Sequence, residues 1–326
     1  MSLFGRLLKP NVKKLESHGN VEALADLVES DEPGDIRRAA IEALGRIGGP
    51  EVTTPLVAAL GDQDGEVAHA AEEAVGRLEP LPGSELVEAL AGPGADVALK
   101  ILRDLDADAV EWIHNACSHA DEAVRHRALG VLVELEAEHG TPEVRETLFR
   151  TLLATLGDRS PQCRVLAATR LEGLADPKAG RALAAQLKDG DETVRKACRQ
   201  ALLAIGEPAV PNILDALADR NKNSRRIAAE VLGEVCSGEV SQKSRRITLF
   251  ALADRASDSN PEIATAVHQA LQAIPNETVI TAQLKYLSAE EQPSDPEEIQ
   301  DFLGRMLKYA PISPGLEARI ERVIPE

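Results

Sequence analysis

The chain has 326 residues, and its 54 acidic residues outnumber its 36 basic ones, which gives a formal charge of −18. A field of this sign repels phosphates and argues against general binding to DNA or to anionic membranes. Aromatic residues make up only 2% of the sequence, too few for most globular cores of this size, whereas Ala and Leu are abundant, as expected where helices pack closely.

The N-terminal third predicts pairs of helices. Residues 21–30 are predicted to form one helix, 31–35 a turn and 36–47 a second helix, which Gly48-Gly49-Pro50 should end because Gly suits a left-handed C-cap and Pro cannot continue a helix. The same order recurs at 52–80, 109–140, 141–177, 178–208, 209–238 and 239–274. Residues 81–107 form a shorter, degenerate pair, with helices predicted near 84–91 and 95–105.

Small and branched apolar residues recur about every 30 residues at four positions of the second helix. Offsets of 0, 4, 8 and 11 place them in one stripe on a helix of period 3.6. A unit this short cannot bury its stripe alone, so the repetition predicts stacked units that share one core. The four columns are Ile36, Val67, Val124, Cys163, Val194 and Ile263; Ala40, Ala71, Ala128, Ala167, Cys198 and Val267; Leu44, Val75, Leu132, Leu171, Leu202 and Leu271; and Ile47, Leu78, Leu135, Leu174, Ile205 and Ile274.

We therefore predict an all-α fold, an α-solenoid of about nine helix pairs with a right-handed superhelix. Residues 1–19, with Leu3, Phe4, Leu7 and Leu8, are expected to form an N-terminal capping segment, and 20–275 the solenoid. Residues 276–326 are expected to form capping helices, with an acidic, proline-containing loop at 288–301, because the last unit of a stack must present a polar face.

The runs at 35–48 (DIRRAAIEALGRIG) and 194–206 (VRKACRQALLAIG) resemble HEAT repeats, most closely the short variety known from phycobilin lyases. The resemblance extends over about residues 20–275. It implies the fold and says little about activity, since the same repeat serves scaffolds, adaptors and a few enzymes. It also implies that the second helices line a concave surface.

The sequence offers little sign of catalysis. One enzyme class on this scaffold binds two irons through His-Glu pairs, and none of the seven histidines is followed by Glu. His114, Cys117 and His119 are a weak metal candidate, because His119 lies about 140° around a helix from His114. There is no P-loop or dinucleotide fingerprint. We predict a non-catalytic protein without metal or cofactor; a lyase-type activity would need a pigment pocket that the sequence does not indicate.

Two neighbouring positions of the second helices carry basic residues. In the HEAT family the first commonly pairs with an acid in the turn of a neighbouring unit, with partly exposed pairs worth a few tenths of a kcal/mol. Here it holds Arg37, Arg125, Arg164, Arg195 and Arg225, and the candidate acids are Asp35, Asp64, Asp121, Asp158 and Asp191. The second position holds Arg38, His69, His126, Lys196 and Arg226, for which the sequence indicates no ready acidic partner.

Residues 159–226 hold 13 Lys and Arg against 8 Asp and Glu, so a positive middle lies between negative ends. We predict a basic concave groove formed by His126, Lys196, Arg199 and Arg226; an ordinary solvated face is the alternative. Arg127 and Arg170 stand where other repeats place apolar residues. Their guanidinium groups either reach the surface or bind a partner's carboxylate, with Glu134, Glu136 and Glu172 as candidate internal partners.

The favoured function is a scaffold or adaptor that binds a protein, and an acidic segment of it, through the concave face. The alternative is nucleic-acid binding or repair through the same groove, which the net charge disfavours. The sequence has no apolar run of about 18 residues and no signal peptide. Cys117, Cys163, Cys198 and Cys236 are expected to be buried free thiols, so we predict a cytoplasmic protein without membrane insertion.

Overall fold

The computed structural model describes residues 11–104, 109–287 and 296–324. Over these ranges the backbone forms α-helices, short 3₁₀ helices and turns, without a strand, so the predicted all-α fold of repeated helix pairs is confirmed. No helix within these ranges is both long and apolar enough to cross a membrane. The expectations for Leu3, Phe4, Leu7 and Leu8, and for the loop at 288–295, lie outside the described residues.

The chain divides into two compact units, 1–151 and 152–326, and the division falls inside the tenth helix. The helices of the first unit are α1 (Val12–Ser17), α2 (Val21–Val28), α3 (Gly34–Ile47), α4 (Thr53–Ala58), α5 (Gly65–Val75), α6 (Gly83–Ala89), α7 (Ala95–Asp104), α8 (Val110–Ala116), α9 (Glu122–His139) and α10 (Pro142–Thr155).

In the second unit the same alternation continues, and the C-terminal helices follow it. They are α11 (Pro161–Leu174), α12 (Gly180–Ala185), α13 (Glu192–Ile205), α14 (Val210–Leu217), α15 (Lys222–Ser237), α16 (Gln242–Arg255), α17 (Pro261–Ala273), α18 (Glu277–Leu287), α19 (Pro296–Tyr309) and α20 (Pro314–Ile320).

The predicted apolar columns form the core. Every residue at offsets 0, 4 and 8 is buried. At offset 11 most are buried, but Leu174 is 42% exposed and is the one large exposed apolar side chain of the described residues. Successive second helices pack side by side within each unit, α3 on α5, α11 on α13 and α15 on α17. Within each unit the second helices therefore pack against one another as a layer.

Helix ends follow local chemistry. Gly48 adopts a positive φ of 67° after α3, as the Gly-Gly-Pro run predicts. Helix α3 begins at Gly34, two residues before the predicted start, and α2 ends at Val28, before the predicted Ser30. The C-terminal helix predicted around Phe302 is α19, which buries Phe302, Leu303 and Met306.

A close approach of two second helices depends on one glycine. A Cβ on Gly233 of α15 would lie 2.9 Å from both Cα and Cβ of Ala270 in α17. Only backbone and a methyl group face it there, so neither helix can yield without shifting.

We expect Gly233→Ala to lower the free energy of unfolding of the second unit by about 1–3 kcal/mol, the usual cost of overpacking. The matched control is Gly173→Ala in α11, where a Cβ meets nothing within 4 Å; it should stabilise the helix by roughly 0.5 kcal/mol. Urea denaturation followed by circular dichroism measures both. Equal stabilisation by the two substitutions would show that α15 and α17 are not in close contact at Gly233.

Candidate functional site

The turns between first and second helices share a short motif, an Asp followed two residues later by the N-cap of the second helix. In the turn before α5, Asp62 Oδ1 accepts the N–H of Asp64 at 2.8 Å, and Asp64 Oδ1 accepts the N–H of Glu66 at 3.0 Å. The same hydrogen bond, from the backbone N–H of the N-cap residue to the Asp two positions earlier, recurs at Asp158-Arg159-Ser160, Asp189-Gly190-Asp191, Asp219-Arg220-Asn221 and Asp258-Ser259-Asn260. One side chain of each motif therefore caps the helix, and the other folds the turn.

A single arginine in each of three second helices binds two successive turns. In α11, Arg164 Nη1 donates to the carbonyl of Asp158 in its own turn at 2.8 Å. Its Nε and Nη2 donate to Asp189 of the next turn at 2.7 and 2.8 Å. The same bidentate arrangement joins Arg37 to Asp62 and Arg225 to Asp258. We call these three pairs the arginine ladder.

The ladder confirms that the first arginine position pairs with turn acids of the next unit, but the acids of its three pairs, Asp62, Asp189 and Asp258, were not among the candidates. Asp64, Asp121 and Asp191 cap helices instead, because each is the second acidic or polar residue of its turn. Asp35 lies in the first turn of α3. Arg195 donates to the carbonyls of its own turn, Asp189 and Gly190. The buried Arg125 donates in the same way to the carbonyls of His119 and Ala120.

The ladder pairs are less exposed than the sequence predicted. The side chains of Arg164 and Asp189 are 15% and 6% exposed, and those of Arg37 and Asp62 are 17% and 12% exposed. The hydrogen bond with Asp189 raises the pKa of Arg164, and that with Arg37 lowers the pKa of Asp62. Bidentate, largely buried pairs are stronger than the exposed pairs of a solvated face, so the ladder fixes the register of successive units.

The predicted basic surface lies on the second helices, with His126 on α9 of the first unit and the others on three helices of the second. Arg170 stands on α11, Lys196 and Arg199 on α13, and Arg226 on α15. His126, Arg170 and Lys196 are exposed, and the other two are half-buried. We call the four residues of the second unit, with Leu174, the second-helix surface.

Acidic residues lie among these cations, contrary to the prediction that they lack ready partners. Lys196 Nζ lies 2.7 Å from Glu192, one turn earlier on the same helix, and Arg226 Nη1 lies 2.5 Å from Glu230. Glu230 also lies 3.9 Å from Arg199 Nε.

Arg199 also pairs with Glu234 of α15. In the first unit, Arg38 and His69 have glutamates within 4 Å on their own helices. The second-helix surface is therefore a mixed field of both signs rather than a purely basic groove.

Arg170 and Leu174 are the exceptions on this surface. Arg170 makes no ion pair with any residue in the described ranges, and its guanidinium reaches the surface, one of the two predicted outcomes. Leu174 lies one turn further on the same face of α11, 42% exposed. An available guanidinium beside an exposed leucine is an arrangement suited to a carboxylate and an apolar side chain together.

Arg127 is the other arginine at a position where most repeats have an apolar residue. It is half-buried and donates a hydrogen bond from Nη1 to the carbonyl of Leu90. The acids predicted as its partners bind elsewhere, Glu134 to Arg103 and Glu136 to Arg145. A backbone carbonyl thus takes the place of the expected carboxylate.

The histidine and cysteine residues do not converge. His114 Nδ1 lies 2.7 Å from Thr151 Oγ1, and His119 Nε2 lies 3.2 Å from Glu88. In the part of the chain that the structure describes, no three His, Cys, Asp or Glu side chains could hold a metal ion together. The four cysteines are buried free thiols, as predicted, and burial raises the pKa of Cys198 to about 12.

The repeated pair of helices, the capped turns and the arginine ladder agree with a family comparison. A family model described as HEAT repeats matches residues 12–76 and 149–233. These two segments of the chain are HEAT repeats. The matched segments include the turns that contain Asp62 and Asp189. The search of curated proteins found no match to the chain.

Solved structures similar to this HEAT-repeat chain include importin beta, at 15% identity and a TM-score of 0.49, over 94% of this chain and 49% of that one. An engineered protein is similar at 16% identity and a TM-score of 0.37, over 93% and 98%. Human deoxyhypusine hydroxylase is similar at 22% identity and a TM-score of 0.32, over 80% and 98%. Similarities at this level do not indicate what the chain binds. The chain spans about half the length of importin beta.

The pairing of Asp62 with Arg37 predicts that Asp62 contributes to the free energy of unfolding in a pH-dependent way. Its folded pKa lies below the ordinary 3.8, so its stabilisation is complete above about pH 4 and is lost as pH falls through the lowered folded value. We expect Asp62→Asn to reduce the free energy of unfolding at pH 7 by about 1–3 kcal/mol. The difference from wild type should shrink below pH 4. Denaturant titrations at several pH values measure it, with the exposed Asp26→Asn as control; a loss independent of pH would contradict the assignment.

Proposed function

We propose that this HEAT-repeat chain is a non-catalytic scaffold that binds a partner protein through the second-helix surface. The single observation that carries the proposal is the exposed Leu174 beside Arg170, a cation without an ion pair in the described ranges. Apolar side chains flanked by charged groups are typical of the centres of protein interfaces, where charge sets orientation and apolar contact adds affinity.

The partner segment that fits is short and acidic, with an apolar side chain near its carboxylate. The carboxylate would accept hydrogen bonds from Arg170, and the apolar side chain would cover Leu174. The neighbouring helices α13 and α15 carry Lys196, Arg199 and Arg226, each of which already pairs with a glutamate. The glutamates that pair with these cations would repel partner segments with many negative charges, which supports selectivity.

The same glutamates count against the nucleic-acid alternative. A phosphate backbone needs several cations in a row, and here Glu192, Glu230 and Glu234 lie between the basic side chains. Binding of duplex DNA at physiological salt that is lost with Lys196→Glu and Arg226→Glu together would reverse this preference.

We expect Arg170→Glu to reduce binding of the partner by at least about tenfold, which corresponds to roughly 1.4 kcal/mol. Leu174→Ser should weaken it by a similar factor, and neither should lower the melting temperature appreciably, since both side chains are exposed. Partners are recovered by affinity capture from extract of the native cells and identified by mass spectrometry. The affinity of each recovered protein is then measured by titration.

The matched control is Arg181→Glu, which makes the same change of charge at an exposed position of α12 in the same unit. It should leave the partner bound. If Arg170→Glu and Arg181→Glu retain the partner equally well, or if Arg170→Leu leaves binding intact while raising the melting temperature, Arg170 is a tolerated structural cation and the proposed surface is wrong.

A further inference from the structure

A cavity of about 340 Å³ lies where three segments of the first unit meet: the start of α4, residues 78–85, which include the first turn of α6, and helix α8. Its apolar wall includes Leu78, Leu81 and Pro82, and Trp112 of α8 contributes the one aromatic ring. Proteins bury the stems of long side chains in pockets of this composition.

Trp112 is held in this wall by a glycine. A Cβ on Gly83 would lie 2.1 Å from Cδ2 of the indole, so the ring packs directly on the backbone of Gly83. Trp112 stays half-buried and keeps part of its surface open. It is also the only tryptophan in the chain, so its fluorescence reports on this cavity alone.

The charged groups of the cavity are all acidic. Glu79 is exposed and Glu85 is half-buried, and Ser84 Oγ donates to Glu85 at 2.7 Å. Neither lysine nor arginine is among the lining residues, all of which the structure describes. An indole beside two carboxylates is a favourable environment for an organic cation, which the ring face and the negative charges both attract.

A second cavity of about 490 Å³ extends this surface along α6 and shares Ser84 and Glu85 with the first. Its lining adds the apolar Val57 and Ala89 and the carboxylate of Glu88. Glu88 lies 3.2 Å from His119. The two cavities adjoin at Ser84 and Glu85, and both have carboxylates in their linings. We call the two adjoining cavities the groove.

The surrounding sequence is strongly acidic. Residues 49–116 hold 14 Asp and Glu against 3 Lys and Arg. Each of these three bases is ion-paired within the first unit: Arg77 with Glu73 at 3.0 Å, Lys100 with Glu72 at 2.5 Å and Arg103 with Glu134 at 2.5 Å. The groove therefore faces any partner with uncompensated negative charge.

We propose that this groove binds a basic segment of a partner protein. The stem of an arginine or lysine side chain packs on Trp112 and the apolar wall, and its cation binds Glu79 and Glu85. The charge complementarity identifies the occupant, because an acidic or purely apolar segment would leave these carboxylates repelled or desolvated without a partner. The site uses other residues than the second-helix surface and does not depend on it.

The test is a fluorescence titration of the full chain with a synthetic peptide, acetyl-Ala-Arg-Leu-Arg-Ala-amide, read from Trp112. We expect a saturable change in emission with a Kd on the order of 1 mM or below. The same peptide with citrulline in place of arginine keeps the shape and loses the charge, and should bind at least about tenfold more weakly. Raising NaCl to 0.5 M should weaken the binding of the arginine peptide, since salt screens exposed charges.

Two matched double variants locate the cation. The double variant Glu79→Gln with Glu85→Gln should bind the arginine peptide about tenfold more weakly, which corresponds to roughly 1.4 kcal/mol. Glu143→Gln with Glu146→Gln, at exposed positions of α10 outside the groove, changes the net charge equally and should leave the affinity nearly unchanged. Circular dichroism establishes that both variants fold.

Three outcomes would each overturn the proposal. The first is an emission of Trp112 that does not respond to the arginine peptide. The second is equal affinity for the citrulline peptide, which would show that no cation is recognised. The third is equal weakening by the two double variants, which would show that only the general acidity attracts the peptide. The citrulline and salt measurements use the wild-type chain, so they decide the matter even where a variant fails to fold.

Discussion

The register of the repeats depends on an arginine that binds two turns at once. Arg164 holds the carbonyl of Asp158 and the carboxylate of Asp189, so a shift of either turn would break several charge-assisted hydrogen bonds together. Apolar columns alone permit some sliding, because Ala, Val and Leu surfaces fit in several positions. The directional pairs remove that freedom, and the close contact of Gly233 with Ala270 sets the spacing of the helices.

Both proposed binding surfaces follow from this arrangement. Fixed second helices place Arg170 and Leu174 together on one face of α11. The groove at Trp112 lies beside the degenerate unit, where residues 78–82 lead into α6.

The core was predictable because helical periodicity places offsets 0, 4 and 8 on one face whatever the tertiary detail. For the ladder, the sequence predicted the position of the arginines and a partner in the next turn, but not which residue of that turn is the partner. Each turn offers two polar residues, as Asp62 and Asp64, and the sequence does not tell which caps the helix and which meets the arginine. The glutamates near Lys196 and Arg226 were open to prediction from their spacing of four residues. The cavity at Trp112 was not, because it forms from three segments distant in sequence, although the acidic excess of 49–116 indicated the charge of its surroundings.

The central claim, that buried arginine–aspartate pairs join successive units, is tested most directly by a double-mutant cycle on Arg164 and Asp189. Arg164→Ala, Asp189→Ala and the double variant are compared by denaturation at pH 7, with the exposed pair of Lys196 and Glu192, 72% and 66% exposed, as control. We predict a coupling of about 1–3 kcal/mol for the ladder pair and a much smaller one for the control. A ladder coupling no larger than that of the control would contradict the account.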